Sequence, residues 1–231
     1  MRLFRPLLAG SNLRDRLIAC FGALIGIGFT GFVSMQIAPD SFPWLIAPIG
    51  GSAVLMFALP SSPLSQPWSI IGGNTIAAFT GIAVNGVIGE PVIAAAVSVS
   101  VAVLMMSLFR CLHATGGAVA LSAVLGHHIF AGHFELLVLP VVLNSILLVF
   151  IGWVFHRYSG QSYPHRPTSR AGTDTPPPSY TIVIEDIDSA LADLGETFDV
   201  SKEDLVLLFA QAEAHADARI KRLYATETTG P

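Results

Sequence analysis

Two short apolar stretches with the same pattern occur in this sequence, 66 positions apart. Residues 46–60 are IAPIGGSAVLMFALP and residues 112–126 are LHATGGAVALSAVLG. Each contains a Gly-Gly pair, then a small residue and a short aliphatic run. A helix needs about 20 residues to cross the hydrocarbon core of a bilayer, so neither stretch is an ordinary transmembrane helix. The duplication indicates a chain of two similar units, each built around one short segment.

The composition is typical of a membrane protein. Of the 231 residues, 52% are hydrophobic and only 12% are charged, whereas soluble proteins carry roughly 25% charged residues. The charges are segregated: residues 1–180 hold 8 basic and 5 acidic side chains, and residues 181–231 hold 4 and 11. We therefore predict a membrane domain over residues 1–157, a linker rich in Pro, Ser and Thr over 158–180, and an acidic helical tail over 181–231.

Six apolar segments fill the membrane domain, three in each unit. Their predicted bounds are 17–38, 45–59, 69–88, 92–109, 114–126 and 136–154. In the tail, residues 184–194 and 200–221 have helical periodicity, and Ser201 begins the second helix with a capping pattern. The predicted fold is an all-α membrane protein of two three-segment repeats, each with a short helix that starts at Gly-Gly, plus a small C-terminal helical tail.

The arginines of the membrane domain indicate how the segments cross. If all six segments cross, every arginine falls on one side, and the other side holds only the acidic residues Asp40, Glu90 and Glu135. Cytoplasmic loops are the basic ones, so both termini are expected in the cytoplasm. Three crossings per unit also require inverted repeats. If the short segments re-enter instead, each unit crosses twice, the repeats run parallel and Arg110 lies outside. This alternative stays open.

The start of each short segment is a candidate anion-binding site. A helix that begins inside a membrane leaves backbone N–H groups unpaired and has a partial positive charge at that end. A small anion can satisfy those groups, and glycine lets the backbone come close to it. Paired, interrupted segments at matching positions of two halves are also a pointer to transporter sites. The predicted anion ligands are Gly50, Gly51, Ser52, Thr115, Gly116 and Gly117.

The remaining polar residues of the apolar segments favour an anion over a cation. No Lys, Asp or Glu lies in these segments away from their ends, which argues against a proton pump with buried carboxylates. The neutral Asn74 is available, and His113 can titrate near neutral pH and couple anion movement to a proton. His127, His128 and His133 have no carboxylate or Cys partner at ligand spacing, so no metal site is predicted. No nucleophilic side chain has a general base next to it, so the sequence gives no indication of an enzyme.

The run PSSPLSQPWSIIGGNTIAAFTGIAV at 60–84, with CLHATGGAVALSAVLG at 111–126, resembles the HPP family of integral membrane proteins. The tail from residue 184 to about 222 resembles the segment that follows the membrane domain in bacterial members. This chain has His113-Ala114-Thr115 where the family has His-Pro-Pro, so the histidine is kept and both prolines are lost. The family is usually described with four spans. The CBS domains of some members are missing here, so nucleotide sensing is not expected.

The resemblance implies nitrite transport, as in plastid and cyanobacterial members. We therefore predict a transporter or channel for a small monovalent anion, with nitrite as the first candidate, in a bacterial inner membrane. Ser61, Ser62, Gly73, Asn74 and His113 are expected to line the path. The alternative is a membrane scaffold whose acidic tail recruits a partner. The short segments cannot span alone, which favours a dimer or trimer in the lipid bilayer. No cofactor and no nucleic acid partner are expected.

Overall fold

A computed structural model describes residues 13–37, 45–126, 135–166, 182–194 and 199–227. Within these ranges the regular structure is helical, and no β-strand occurs. The chain folds as two units, Met1–His165 and Arg166–Pro231. The helices are α1 (Leu13–Ile37), α2 (Ile49–Ala58), α3 (Pro67–Val87), α4 (Pro91–Leu108), α5 (Gly116–Leu125), α6 (Glu135–Ser159), α7 (Ile184–Leu194) and α8 (Lys202–Glu227), with a 3-10 turn at Pro63–Ser65.

Four helices of the first unit are long and apolar enough to cross a bilayer. These are α1, α3, α4 and α6, which have 25, 21, 18 and 25 residues. The apolar helices α2 and α5 have 10 residues each, which is about 15 Å of helix. Both short helices were predicted from the duplicated stretches. Among its described residues, the first unit thus has four helices of transmembrane length and two half-length ones, as expected for an integral membrane protein.

Contacts between helix ends show in which direction each segment runs. The Arg16 guanidinium near the start of α1 donates to the Ala58 carbonyl at the end of α2, 3.4 Å away. The Trp68 indole at the start of α3 donates to the Phe109 carbonyl after α4, at 3.1 Å. These termini therefore lie at one end of the unit, which we call the first end. The opposite end, where α1 finishes, is the second end.

The last long helix returns to the first end. The His156 Nε2 near the end of α6 donates to the Met56 carbonyl of α2 at 3.1 Å. Helices α3 and α5 lie close together in the middle of the unit. If Gly116 carried a Cβ, that atom would lie 3.4 Å from the Ala77 Cβ, and a Cβ on Gly81 would lie 2.6 Å from the Ala123 Cβ. Helix α5 consequently runs parallel to α3, toward the second end. The six successive segments thus alternate in direction.

Helix α3 lies at the centre of this unit. It packs against α4, α5 and α6, while α1 packs against α2 and α6. Helix α2 also contacts α6, and α4 contacts α5. Glycines allow some of these approaches: a Cβ on Gly22 or on Gly26 would lie 2.5 Å from the Phe57 ring. Such small-residue contacts are how membrane helices pack closely without a hydrophobic driving force between them.

The second unit contains the two predicted tail helices. Helix α7 has the predicted bounds, and α8 extends to Glu227 rather than to Lys221. The Ser201 hydroxyl accepts a hydrogen bond from the Asp204 N–H at 3.1 Å, which is the predicted cap. Helices α7 and α8 pack on each other, and Lys202 forms an ion pair with Asp188. The predicted linker lies mostly over residues 167–181, outside the described ranges.

Candidate functional site: the meeting point of two half-length helices

The two half-length helices begin beside each other in the middle of the first unit. Helix α2 starts at Ile49 and runs toward the first end, and α5 starts at Gly116 and runs toward the second end. The Ser52 hydroxyl in the first turn of α2 lies 2.8 Å from the hydroxyl of Thr115, which directly precedes α5. A Cβ on Gly51 would lie only 2.5 Å from Thr115 Cγ2. Glycine at position 51 therefore permits this contact between the two N-termini.

A small polar cluster occupies the meeting point. Ser52 Oγ lies 2.9 Å from His113 Nε2, and the Thr115 hydroxyl lies 3.2 Å from Asn74 Oδ1. The Asn74 amide group donates to Ser52 Oγ at 3.3 Å and to Ser145 Oγ at 3.1 Å. Ser52, Asn74 and Ser145 are completely buried, and His113 is 1% exposed. Segments from both halves of the unit thus contribute to one network that contains no carboxylate and no Lys or Arg.

The 3-10 turn after α2 fixes the histidine. His113 Nδ1 lies 2.7 Å from the Leu64 carbonyl oxygen, which can only accept, so Nδ1 carries a proton. The turn is itself held in place: Ser62 Oγ accepts from the Leu64 N–H at 3.1 Å, and the Tyr163 hydroxyl donates to the Ser65 carbonyl at 3.0 Å. Burial raises the pKa of Tyr163, so this hydroxyl stays protonated. The uncharged Pro/Ser loop therefore closes over His113 from the first end.

Gly73 allows the segment before α5 to pass close to α3. A Cβ at this position would lie 2.6 Å from the Cys111 carbonyl oxygen and 2.7 Å from the His113 Cβ. Gly116 has a comparable packing role, because a Cβ there would lie 2.6 Å from Met106 Sδ. Space for a side chain exists instead at Gly50, which has no neighbour within 4 Å, and at Gly117, where Val99 is 3.7 Å away.

The two helix N-termini differ in their free N–H groups. In α2, the N–H groups of Ile49, Gly50, Gly51 and Ser52 all bond to carbonyls of residues 46–48 at 3.1–3.4 Å. In α5, Gly116 bonds to the His113 carbonyl and Val119 to the Thr115 carbonyl. Within the described part of the chain, the N–H groups of Gly117 and Ala118 make no hydrogen bond. Only α5 therefore presents donors that could bind an anion without breaking a bond.

The predicted site residues divide into three groups. Gly51, Ser52, Asn74, His113 and Thr115 meet in the cluster, with Gly73 and Gly116 behind it as packing positions. Ser61 is exposed and Ser62 caps the 3-10 turn, so both lie in the covering loop and outside the cluster. Gly50 and Gly117 lie beside it with room for a side chain.

Three contributors were not among the predicted site residues. Ser145 of α6 and the Leu64 carbonyl complete the cluster, and Asn144 accepts from the Ile46 N–H at 3.0 Å and donates to Ser34 at 2.9 Å. The Asn-Ser pair inside an apolar span was the available signal for positions 144–145. A backbone carbonyl leaves no such signal in a sequence.

A cavity lies between the cluster and the second end. Its volume is about 450 Å³, and its lining comes from residues 45–48, from α5 and from α6. The lining is apolar apart from Ser122, whose hydroxyl donates to the Ala118 carbonyl at 2.8 Å. Among the described residues no group of three His, Cys, Asp or Glu side chains could hold a metal ion. His127, His128 and His133 lie outside those residues.

Comparisons with known proteins identify relatives that are membrane proteins. The family model described as "HPP, transmembrane region" matches residues 9–164. Two proteins from Dictyostelium discoideum, both named only as transmembrane proteins, are 29% and 27% identical over 125 and 126 residues. Each alignment covers 52% of this chain, and 44% and 40% of the respective relative. This chain therefore spans less than half the length of these relatives. No solved structure matches significantly.

Proposed function

Because this chain belongs to the HPP transmembrane family, we propose that it transports a small monovalent anion, with nitrite as the first candidate. The observation that carries the proposal is the meeting of two half-length helix N-termini in an uncharged, buried hydrogen-bonding cluster. Helix N-termini favour negative charge, and interrupted helices at mid-membrane commonly provide substrate sites in transporters. The anion would bind at the free N–H groups of Gly117 and Ala118, next to the Thr115 hydroxyl.

An inverted-repeat arrangement is part of this proposal, and the packing supports it. Exchanging α1 with α4, α2 with α5, and α3 with α6 converts the set of helix contacts into itself. For example, α1 packs on α2 as α4 packs on α5, and α2 packs on α6 as α5 packs on α3. The exchanged helices also run in opposite directions. Inversion would place the two corresponding helix N-termini near the midplane, where a carrier binds its substrate.

The charges favour a cytoplasmic first end. Arg14 and Arg16 begin α1, Arg110 follows α4, and Arg157 lies in the last turn of α6, so all four lie at the first end. Helix α4 starts at the second end, where Glu90 caps it by accepting from the Ile93 N–H. By the positive-inside rule, both termini of the membrane unit face the cytoplasm of a bacterial inner membrane.

The site suits a small and weakly hydrated anion. No Lys or Arg reaches the described cluster, so a multivalent anion such as phosphate would lack compensation there. Ser52 and Thr115 are in direct contact, which leaves no room for a large solute. Neutral donors and helix N-termini can compensate a single diffuse charge. Nitrite meets these requirements.

Homo-oligomers are also part of the proposal. The non-helical segments before α2 and α5 lie at membrane depth, and Ala47 and Ala114 within them are exposed. Irregular backbone does not face lipid, because its polar groups would be unsatisfied. A second or third copy that covers these segments would remove the problem. Cysteines introduced at Ala47 or Ala114 should then cross-link between copies in membranes, and cross-links to lipid probes alone would contradict this part.

Nitrite uptake into liposomes that contain the purified protein tests the function. Uptake should exceed that of empty vesicles, and Ser52→Ala should reduce it at least several-fold, because the cluster loses its central hydroxyl. Ser98→Ala is the matched control: Ser98 is equally buried, but it bonds only to the Ala95 carbonyl of its own helix α4. Folded protein without flux above empty vesicles would rule out transport.

A scaffold role is the second candidate, and one observation favours it. In the second unit, the α8 side chains Leu208 and Phe209 are 62% and 44% exposed. Apolar side chains on the surface of a two-helix unit are suited to binding a partner. This role predicts that removal of residues 167–231 abolishes the cellular function, whereas the transport role predicts that nitrite flux survives this truncation.

A further inference from the structure

The buried cluster has fewer hydrogens available for hydrogen bonding than it has short polar contacts. One Asn74 amide hydrogen serves Ser145 and the other serves Ser52. Three short contacts remain, each of which needs one hydrogen: Ser52 to His113, Ser52 to Thr115, and Thr115 to Asn74 Oδ1. The two hydroxyl groups supply only two hydrogens. With a neutral His113, one of the three contacts is therefore without a proton.

The His113 tautomer is not adjustable. Its Nδ1 carries a proton because it donates to the Leu64 carbonyl, so in neutral histidine Nε2 is a bare acceptor. Turning the Asn74 amide round does not help, because Ser52 then faces a second acceptor in Asn74 Oδ1 and the shortage is again one hydrogen. A proton on Nε2 supplies the missing hydrogen. The chain of donors then runs from His113 to Ser52, from Ser52 to Thr115, and from Thr115 to Asn74.

We propose that His113 binds one proton together with each transported anion, so that the pair moves through the cluster without net charge. This rests on the proposed transport of a monovalent anion. The protonated imidazole is a cation buried in the membrane, which is costly unless an anion accompanies it. The anion at the Gly117 and Ala118 N–H groups provides that compensation, two and three residues beyond the Thr115 that shares the network. Each ligand therefore strengthens the binding of the other.

His113 is the titratable side chain of the cluster, and the elements around it offer no other site for the proton. Helices α2, α3, α4 and α5 and the 3-10 turn contain no titratable side chain. Cys111 is a buried thiol two residues before His113, and Arg110 before it is exposed. On α6, which reaches the cluster through Ser145, the titratable residues lie at the helix ends, and His156 bonds to the Met56 carbonyl instead. They are Glu135, His156, Arg157 and Tyr158.

The cavity next to the cluster fits a neutral pair better than a bare ion. It lies against residues 46–48, which lead directly into α2, and its lining is almost wholly apolar. An unpaired anion would lose its hydration there without receiving a counter-charge, which is expensive in a low-dielectric medium. An anion that travels with a proton avoids this cost. The apolar lining and the proton shortage are independent observations, and both favour an anion that moves together with a proton.

Calorimetric titration of the detergent-solubilised full chain with sodium nitrite at pH 7 tests the inference. Repeating the titration in buffers of different ionisation enthalpy gives the number of protons taken up per nitrite bound. We expect about one proton for the wild-type protein and none for His113→Asn. His156→Asn is the matched control, because it removes a buried histidine bonded to α2 outside the cluster, and its proton number should equal that of the wild type.

Liposome flux separates this inference from the function on which it rests. Protein-dependent nitrite uptake, after subtraction of empty vesicles, should not change when a potassium gradient with valinomycin sets a membrane potential. Nitrite binding without proton uptake, or flux driven by the potential, would overturn proton coupling and leave anion transport intact. Absence of both binding and flux would overturn transport itself. The wild-type proton number decides the question even if His113→Asn does not fold.

Discussion

At the scale of single residues, the glycines of α3 have opposite roles within one helix. Gly73 lies so close to the segment before α5 that a Cβ would be only 2.6 Å from the Cys111 carbonyl oxygen. At Gly86, by contrast, no atom lies within 4 Å of the position that a Cβ would take. The neighbour at Gly73 is backbone, the Cys111 carbonyl, which cannot move aside as a flexible side chain could. The sequence predicts that Gly73 lines the anion path, and the structure adds that it allows α3 to pack closely against this segment.

We expect Gly73→Ala to destabilise the protein and Gly86→Ala to leave it unchanged or slightly stabilised. The added methyl at position 73 forces apart α3 and the His113 segment, and overpacking of this kind costs about 1–3 kcal/mol. At position 86 the methyl enters open space, and Ala is favoured over Gly in a helix by about 0.5–1 kcal/mol. Thermal unfolding in detergent measures both. Equal melting temperatures for the two variants would contradict the contact at Gly73.

Residue chemistry also decides how much of the site could be predicted. Ser52, Asn74, His113 and Thr115 were identifiable because polar side chains are rare in these apolar segments. Ser145 is equally polar and equally buried, yet its partner Asn74 is 71 positions away. The meeting of such distant residues depends on helix packing, and a single sequence contains no signal for it. For the same reason, the sequence alone could not show that Ser61 and Ser62 lie in the covering loop, outside the cluster.

At the scale of elements, two segments of similar sequence form N-termini of different chemistry. Residues 46–48 before α2 fold into a helical lead, with Pro48 in the α-helical region, and their carbonyls bind the first N–H groups. Before α5, the lead 111–115 is drawn toward α3 and the covering turn by His113 and Thr115. Its carbonyls therefore do not reach Gly117 and Ala118. The sequence predicts a short helix at each Gly-Gly pair, but it contains no signal for which of the first N–H groups will be hydrogen-bonded.

Replacing Gly117 with proline tests the open N-terminus directly. Proline removes the free N–H at a first-turn position where the ring is tolerated, and no existing hydrogen bond is lost there. A hydrogen bond to a charged group contributes about 1.5–3 kcal/mol, so the nitrite concentration for half-maximal flux should rise roughly 10-fold or more.

Gly117→Ala is the control for this variant. It keeps the N–H, and its methyl fits against Val99 at 3.7 Å. Its flux should stay within about two-fold of the wild type, since ordinary van der Waals contact adds no strain. If the alanine and proline variants lose affinity for nitrite equally, the loss comes from the added side chain and not from the missing N–H. The proposal that the anion binds at the start of α5 would then be wrong.

At the scale of the whole molecule, the alternation of hydrophobic and polar stretches was sufficient to predict six segments and two tail helices. The ends were less predictable: α6 extends to Ser159, past the predicted Val154, because its last turn carries the His156 that bonds to α2. Direction and packing partners follow from contacts across the chain. One such contact lies at the boundary of the membrane unit, where Tyr163 and the His165 N–H reach Ser65 and Gln66.

That boundary provides a test for the whole chain. A chain ending at Arg166 keeps both bonds to the covering turn and should retain its melting temperature and its nitrite flux within about two-fold. A chain ending at Ser159 loses both bonds, each contributing about 1 kcal/mol. We expect its melting temperature to fall by about 4–8 °C, and its flux to fall because the Leu64 carbonyl no longer fixes His113. If the longer chain is folded but inactive, the tail is part of the transport machinery, and the division of roles between the two units is wrong.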